Sequence, residues 1–338
     1  MLYSLYLFVY KKREETDNLK ITIIHDYFFR EMSEELFAEV QNAAPGAEIT
    51  TVQQSGISVD DLIDSDVVFG RIPPHLLIEL PNLKWLHLAS AGANGMTDIN
   101  LYANKSTILT KSSGTFGISI SEHIIGMMIA LSRNFSYYYK RQSERYWCGS
   151  FPNFYDIYGS TVLIVGLGNI GTEVSKHLSG FNCRIIGFRR NESIPHETIN
   201  DIRPMSKLRE TLPEADYIIV CTPGTKETEN LFDQEEFKLM KKRAIIINVG
   251  RGMVINSGAL VEALNSNRIA GAGLDVTDPE PLPEGHPLWS AKNVFITPHV
   301  SAASDVTTER RVMVFIDLLK RYVAGQTLYN LVDFDEGY

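Results

Sequence analysis

Cysteine is scarce in this chain: Cys148, Cys183 and Cys221 are its only three in 338 residues, and none stands at CxxC or metal-ligand spacing. That excludes a disulfide scaffold and a cysteine-based metal centre, and no metal is expected. An odd, scattered count is what a protein of the reducing cytosol carries, so a cytoplasmic location is expected and the three read as small core residues. Positive charge is also in deficit. Lys and Arg number 32 against 41 Asp and Glu, a net charge of −9 with no basic tail. A general nucleic-acid binder needs the opposite balance. Long apolar runs are missing too, which excludes a helical membrane anchor. The opening MLYSLYLFVY is too short to span, and its positive charges, Lys11–Arg13, follow the apolar run, the wrong polarity for a secretory signal. Residues 1–18 are read as an N-terminal extension of uncertain order, such as an upstream start would add. Tandem repeats and low-complexity segments are absent.

What the chain does contain is 44% hydrophobic and 22% charged residues over 338 positions, enough to bury two cores. Short apolar runs recur with helix-length intervals between them. The first group is Ile21–His25, Glu48–Val52, Asp66–Gly70 and Leu83–Leu88; the second is Thr161–Val165, Arg184–Phe188, Tyr217–Cys221, Ala244–Val249, Gly271–Val276 and Val294–Ile296. Such alternation predicts parallel sheets and an α/β fold. The first group predicts a smaller, flavodoxin-like domain, with an amphipathic helix over Glu31–Asn42 stopped at Pro45-Gly46. The second predicts a doubly wound sheet of about six or seven strands, Thr198–Ile202 supplying the last. One long helix is expected within Gly114–Trp147, with Ser121 as its N-cap and Ile124, Met127, Met128 and Leu131 on one face. Its methionines, and Glu122 and His123 near its start, read as structural. Asp305–Val323 predicts a C-terminal helix and Tyr329–Asp333 a short returning strand.

The most informative stretch is Thr161–Arg190, TVLIVGLGNIGTEVSKHLSGFNCRIIGFRR. Strand, glycine turn, helix and strand within about 30 residues form a dinucleotide-binding unit. Gly166, Gly168 and Gly171 stand in G-x-G-x-x-G spacing. The first permits the tight turn, the second lets a pyrophosphate approach bare backbone, and the third lets helix pack on strand. Backbone from Gly168 through Asn169, Ile170 and Gly171 then offers unpaired N–H groups and a partial positive charge to the phosphates. An NAD site wants an acid at the end of the second strand, about 20 residues on. Here Arg189 and Arg190 stand instead, with no acid before Glu192. An arginine pair suits a 2′-phosphate, so NADP(H) is expected over NAD(H). Thr222-Pro223-Gly224, ending another strand, lies at the level of an adenosine.

Three further strand ends follow the motif, and in a doubly wound sheet they share one rim. Asn248-Val249-Gly250-Arg251-Gly252 ends the first, Leu274-Asp275-Val276-Thr277-Asp278-Pro279-Glu280-Pro281 the second and Ile296-Thr297-Pro298-His299 the third. A cation, a carboxylate and an imidazole facing a hydride carrier make a coherent set. Arg251 can bind a substrate carboxylate and polarise a neighbouring carbonyl. His299 can give or take the hydroxyl proton, and Glu280 in contact with it would favour the charged ring. His286 is the competing histidine and ranks below, being in a loop between strands. In the first domain, the small-residue loop Ala89-Ser90-Ala91-Gly92-Ala93 follows a strand. Exposed N–H groups at Ala91 and Gly92 could hold a small anion, or the loop is a plain connection.

On these residues the chain resembles the D-isomer-specific 2-hydroxyacid dehydrogenase family, from about Leu19 onward. SAGAN at 90–94, VGLGNIG, NVGRG at 248–252, LDVTDPEPLP at 274–283 and TPHVSA from Thr297 carry the resemblance. The resemblance implies that Arg251, Glu280 and His299 are the catalytic arginine, glutamate and histidine. It implies that Asp275 meets the nicotinamide carboxamide and that backbone like that of Ala91-Gly92 holds the substrate carboxylate. It implies a Rossmann domain over 113–301 inserted into a substrate-binding domain made of 19–112 and 302–338, and a homodimer. Arg189 in place of the family's usual acid resembles the NADP(H)-using hydroxypyruvate and glyoxylate reductases. With the chain ending at Tyr338, no regulatory domain of the long phosphoglycerate dehydrogenases is expected, and Glu280 argues against a formate dehydrogenase. The expected activity is reduction of small 2-oxo acids to (R)-2-hydroxy acids with NADPH. An NAD-dependent D-lactate or D-hydroxyisocaproate dehydrogenase and a nucleotide-sensing, corepressor-like protein are the alternatives.

Overall fold

Lys20–His25 (β1), Glu48–Gln53 (β2), Val67–Phe69 (β3), Trp85–Leu88 (β4) and Ile108–Lys111 (β5) pair into one parallel sheet in the order β2-β1-β3-β4-β5. The order is the flavodoxin-like one. The structure, a computed structural model, describes residues 19–26, 29–93, 95–148, 153–191, 196–199 and 201–334. The extension at 1–18, Asn94 of the SAGAN motif and Glu192 lie outside the described residues. Two units are formed, one by residues up to Phe116 together with those from Ala303 on, the other by Gly117–Ala302.

In the first unit the sheet alternates by the period-2 rule, and both faces are covered. Ile21, Ile23, Phe69 and Trp85 point to Val40 and Ala43 of a helix over Glu34–Ala43 (α1) and to Phe315, Ile316 and Leu319 of the C-terminal helix. Ile24, Val68, Leu86 and Leu88 point the other way, to Leu62, Leu76, Leu77 and Tyr102. Helix α1 starts at Glu34, three residues later than its amphipathic pattern suggested, because the Ser33 hydroxyl caps it by accepting from Leu36 N–H at 3.2 Å. Strand β5 was not anticipated. Its run is only Ile108-Leu109 before Thr110, and pairing with β4 is what makes it a strand.

The second unit begins with Gly117–Ser132 (α2) and Phe135–Ser143 (α3). This corrects the single long helix. Asn134 takes a left-handed φ of 54° and its side chain donates to the Asn153 carbonyl at 2.7 Å, breaking the helix where asparagine tolerates the geometry. Ser121 is likewise no N-cap: it lies inside α2, and its hydroxyl donates back to the Ile118 carbonyl at 2.7 Å. Ile124, Met127, Met128 and Leu131 are buried core, as their spacing indicated.

The sheet of this unit has seven parallel strands: Thr161–Val165 (β6), Arg184–Arg189 (β7), Asp201–Pro204 (β8), Tyr217–Val220 (β9), Ile245–Asn248 (β10), Gly271–Leu274 (β11) and Val294–Ile296 (β12). They run in the order β12-β11-β10-β9-β6-β7-β8. Asn169–Leu178 (α4), Leu208–Thr211 (α5), Gln234–Leu239 (α6) and Ser257–Asn265 (α7) provide connections. The chain enters the sheet at β6, moves outward to β8, then returns to β9 on β6's other side. That reversal is the switch point at which doubly wound folds bind ligands. Strand β8 begins at Asp201, so only the end of the anticipated 198–202 run is strand. Thr307–Val323 (α8) is the C-terminal helix of the first unit, and beyond it Leu331 makes a single antiparallel bridge to Thr110 in place of the expected returning strand.

Candidate active site

Register decides which residues share the rim of the second sheet. Val165 of β6 stands beside Phe188 of β7 and Val220 of β9, Asn248 of β10 beside Val220 and Leu274, and Leu274 of β11 beside Ile296 of β12. The segments after these positions therefore leave the sheet at one level. Gly166, Arg189, Thr222, Arg251, Asp275 and His299 all belong to them.

Gly166 turns with φ of 107°, and an added Cβ would sit 2.9 Å from the Cys221 carbonyl carbon. Gly171 is buried in α4, where a Cβ would collide with the Gly166 carbonyl oxygen. Gly168, the N-cap of α4, differs: a Cβ there would meet nothing within 4 Å. The turn is thus packed tightly behind and open at Gly168, and the first-turn N–H groups of Asn169, Ile170 and Gly171 have no carbonyl inside the helix to meet. That is a cradle for an anion.

Two side chains beside it carry buried polar atoms that lack partners among the described residues. The Arg189 Nε and Nη2 atoms are buried without a hydrogen-bond acceptor, and so is the Thr222 hydroxyl. Buried polar groups are almost always satisfied, so orphaned donors at a switch point fit a bound polar ligand. Arg190 is exposed at the end of β7, and Pro223 follows Thr222 at the end of β9. His196, which the sequence reading passed over, shares a hydrogen bond of 2.9 Å with Thr172 Oγ1. Burial, and then the charge of Arg189, hold the His196 imidazole below its ordinary value. A nicotinamide dinucleotide fits the cradle and these donors.

The catalytic candidates come together. His299 Nδ1 and Glu280 Oε1 are 2.7 Å apart, both side chains roughly half exposed. His299 has φ of 54°, a left-handed conformation that costs a non-glycine residue about 1–2 kcal/mol. The turn is held by backbone: the His299 N–H donates to the Asp275 carbonyl at 2.8 Å and to the Thr297 carbonyl at 3.0 Å. Arg251 lies between strand β10 and a short 3₁₀ turn at Gly252–Val254, its Nη1 donating to the Gly250 carbonyl at 2.7 Å. Burial lowers the Arg251 guanidinium from its ordinary value, and the charge of Glu280 opposes the shift, which places Glu280 in its field.

Asp275 is buried and turned toward the same turn as His299. Its Oδ1 accepts from Thr297 Oγ1 at 2.6 Å and from Val300 N–H at 2.9 Å, and its Oδ2 from Ser301 N–H at 3.1 Å. His123, read from sequence as structural, brings its Nε2 to 3.0 Å from Thr297 Oγ1. No local pattern could have revealed that contact, since the two are 174 positions apart. His286 lies apart from this set, capping the short turn Pro287–Ser290 by accepting from Leu288 N–H. In the first unit, Ala91 and Gly92 follow β4; Ala91 is exposed, and the Ser90 hydroxyl donates to the Gly92 carbonyl at 2.7 Å. Among the described residues no cluster of His, Cys, Asp or Glu could hold a metal, and no helix is long and apolar enough to cross a membrane.

Comparison with known proteins bears on this geometry. The family model for the D-isomer specific 2-hydroxyacid dehydrogenase NAD binding domain matches residues 125–301. The chain is 43% identical to a glyoxylate reductase of Pyrococcus horikoshii over 152 residues, 44% of each chain. It is 32% identical to a glyoxylate reductase of Thermofilum pendens over 244 residues, 71% of this chain and 72% of that one. Among solved structures, a D-isomer specific 2-hydroxyacid dehydrogenase family protein from Aeromonas salmonicida is similar with a TM-score of 0.81 at 28% identity, covering 94% of this chain and 99% of that one.

Proposed function

Since the chain belongs to the D-isomer-specific 2-hydroxyacid dehydrogenase family, oxidoreductases that act on CH–OH donors with a nicotinamide dinucleotide, we propose that it reduces small 2-oxo acids to 2-hydroxy acids of the (R) series, with NADPH as reductant. Glyoxylate, hydroxypyruvate and short branched 2-oxo acids are the candidate substrates. The observation that carries the reading is the His299–Glu280 pair at 2.7 Å on the same rim as Arg251. When bound, the reduced nicotinamide supplies the hydride that reaches the keto carbon.

The chain's own residues do the rest. Glu280 has no proton to give as a carboxylate, so it accepts from His299 Nδ1–H and fixes the ring, leaving Nε2–H to protonate the keto oxygen. The partly buried guanidinium of Arg251 binds the carboxylate and draws charge toward the carbonyl oxygen as it becomes negative. Backbone N–H groups of Ala91 and Gly92 are assigned to the substrate carboxylate. Gly166, Gly168, Asn169, Ile170 and Gly171 are assigned to the pyrophosphate, Arg189 and Arg190 to the 2′-phosphate, Thr222 and Pro223 to the adenosine and Asp275 to the carboxamide side. All the residues assigned to the dinucleotide thus belong to the Gly117–Ala302 unit. Exposed aromatic side chains at Phe135, Tyr139, Tyr146, Trp147 and Tyr158 support a homodimer formed through this part of the second unit.

Steady-state loss of NADPH absorbance over a panel of 2-oxo acids, repeated with NADH, tests the reading. His299→Ala is expected to lower kcat at least ~100-fold, the scale of a lost general acid, with the cofactor still bound. Near-normal turnover in that variant overturns the assignment. Cofactor binding with no turnover across the panel points to a nucleotide sensor instead.

A further inference from the structure

His123 on α2 faces the segment that carries His299. Its Nε2 lies 3.0 Å from Thr297 Oγ1 and 3.9 Å from Asp275 Oδ1. Thr297 has one hydroxyl proton and donates it to Asp275 Oδ1 at 2.6 Å. Toward His123 it can therefore only accept, so His123 must carry its proton on Nε2. The result is a one-way chain of donors: His123 Nε2–H to Thr297 Oγ1–H to the Asp275 carboxylate. That carboxylate is fully buried, and it accepts from the Val300 N–H on Oδ1 and from the Ser301 N–H on both oxygens. Between the ends of this clamp, at Thr297 and Val300, sits His299 with its left-handed backbone, its own N–H bound to the Asp275 carbonyl.

We propose that His123 is a positioning residue for the reaction. By donating to Thr297 it fixes the rotamer of that hydroxyl, thereby the Asp275 carboxylate, and through the clamp the aim of the His299 imidazole. His123 touches neither substrate nor the transferring proton. Its role rests on the reductase activity proposed above, and it enters through geometry, where a general acid displaced by an ångström loses much of its effect.

A double-mutant cycle tests the chain. His123→Ala is expected to lower kcat about tenfold while KM for the 2-oxo acid moves less than about twofold. His123→Gln, whose amide N–H can replace the Nε2–H donor, restores kcat to within about threefold of the parent. Thr297→Val gives a similar loss, and adding His123→Ala to it changes kcat less than about twofold, because both remove one linked chain. Losses that multiply, or a His123→Ala variant with parental kcat, overturn the proposal. A second readout needs no turnover. Side-chain ¹H–¹⁵N correlation spectra of the histidines, with His123 assigned by its substitution, should show the Nε2–H tautomer in the parent and a tautomer mixture in Thr297→Val. An Nδ1–H tautomer in the parent overturns the chain even if no 2-oxo acid is turned over. Lack of turnover alongside the expected tautomer sinks the reductase reading, and with it His123's catalytic consequence, while the donor chain stands.

Discussion

Replacing Arg189 probes the cofactor assignment most directly. Two of its guanidinium nitrogens, Nε and Nη2, are buried with no acceptor among the described residues. They lie on one edge of the planar fork, the arrangement that meets two oxygens of a phosphate. A hydrogen bond to a charged group contributes about 1.5–3 kcal/mol, and about 1.4 kcal/mol is tenfold in affinity. Losing one such bond weakens NADPH about tenfold and losing both at least ~100-fold. Arg189→Asp loses both bonds and adds repulsion toward the 2′-phosphate while offering an acceptor to the ribose hydroxyl of NADH, so the NADPH/NADH ratio should shift toward NADH by at least ~100-fold. Arg189→Gln separates the two effects: NADPH weakens and NADH binding is unchanged. The assay is titration of each cofactor by calorimetry or fluorescence, at two salt concentrations. The parent's affinity for NADPH should fall with salt more steeply than its affinity for NADH, since one phosphate more is neutralised. A cofactor ratio within twofold of the parent in Arg189→Asp refutes the reasoning and leaves the fold assignment untouched.

Other expectations rest on separate parts of the molecule. His87 on β4 is fully buried among Phe69, Trp85 and Phe315, bonded to Thr110 and Ser112 hydroxyls, and burial pushes its imidazole down to about 3. A folded value below the unfolded one, about 6.5, means stability is full above that pH and is lost as pH falls from there toward 3. Between pH 7 and 4.5 the loss from this group is about 2–3 kcal/mol. The fall in urea-unfolding free energy over that interval should therefore be smaller by that amount in His87→Asn, and an equal fall in both proteins contradicts it. Gly168→Ala and Gly171→Ala should part company. A Cβ at Gly168 meets only open space, so Tm holds while dinucleotide affinity drops; at Gly171 the clash with Gly166 lowers Tm as well, by an overpacking cost of about 1–3 kcal/mol. Equal melting temperatures for the two variants would contradict the packing described at the turn.

Local chemistry made much of the protein readable. Thr161–Arg190 announces a dinucleotide turn because the glycine spacing, the flanking strands and the helix are all within one span of chain, and each has a physical reason on its own. Arg251, Glu280 and His299 were visible as strand-end residues because the alternation of runs puts strand ends on one rim. What misled were places where tertiary contacts override pattern. The apolar period of α2 continues into α3, but Asn134 finds a partner in Asn153 and takes a left-handed turn. Strand β5 has too few apolar residues to declare itself and exists by pairing with β4.

By itself the sequence determined the fold class and the switch-point glycine turn, and it singled out Arg251, Glu280 and His299 as strand-end candidates, since these depend on residue type and short spacing. Only the tertiary structure decided how those side chains are held. The register of seven strands brings Glu280 within 2.7 Å of His299. Burial leaves Arg189 with donors that nothing else in the described chain meets. Packing of α2 carries His123 to Thr297 across 174 positions. Distances of that kind are set by how helices and strands stack, and stacking follows from the whole set of buried side chains, which no short stretch contains.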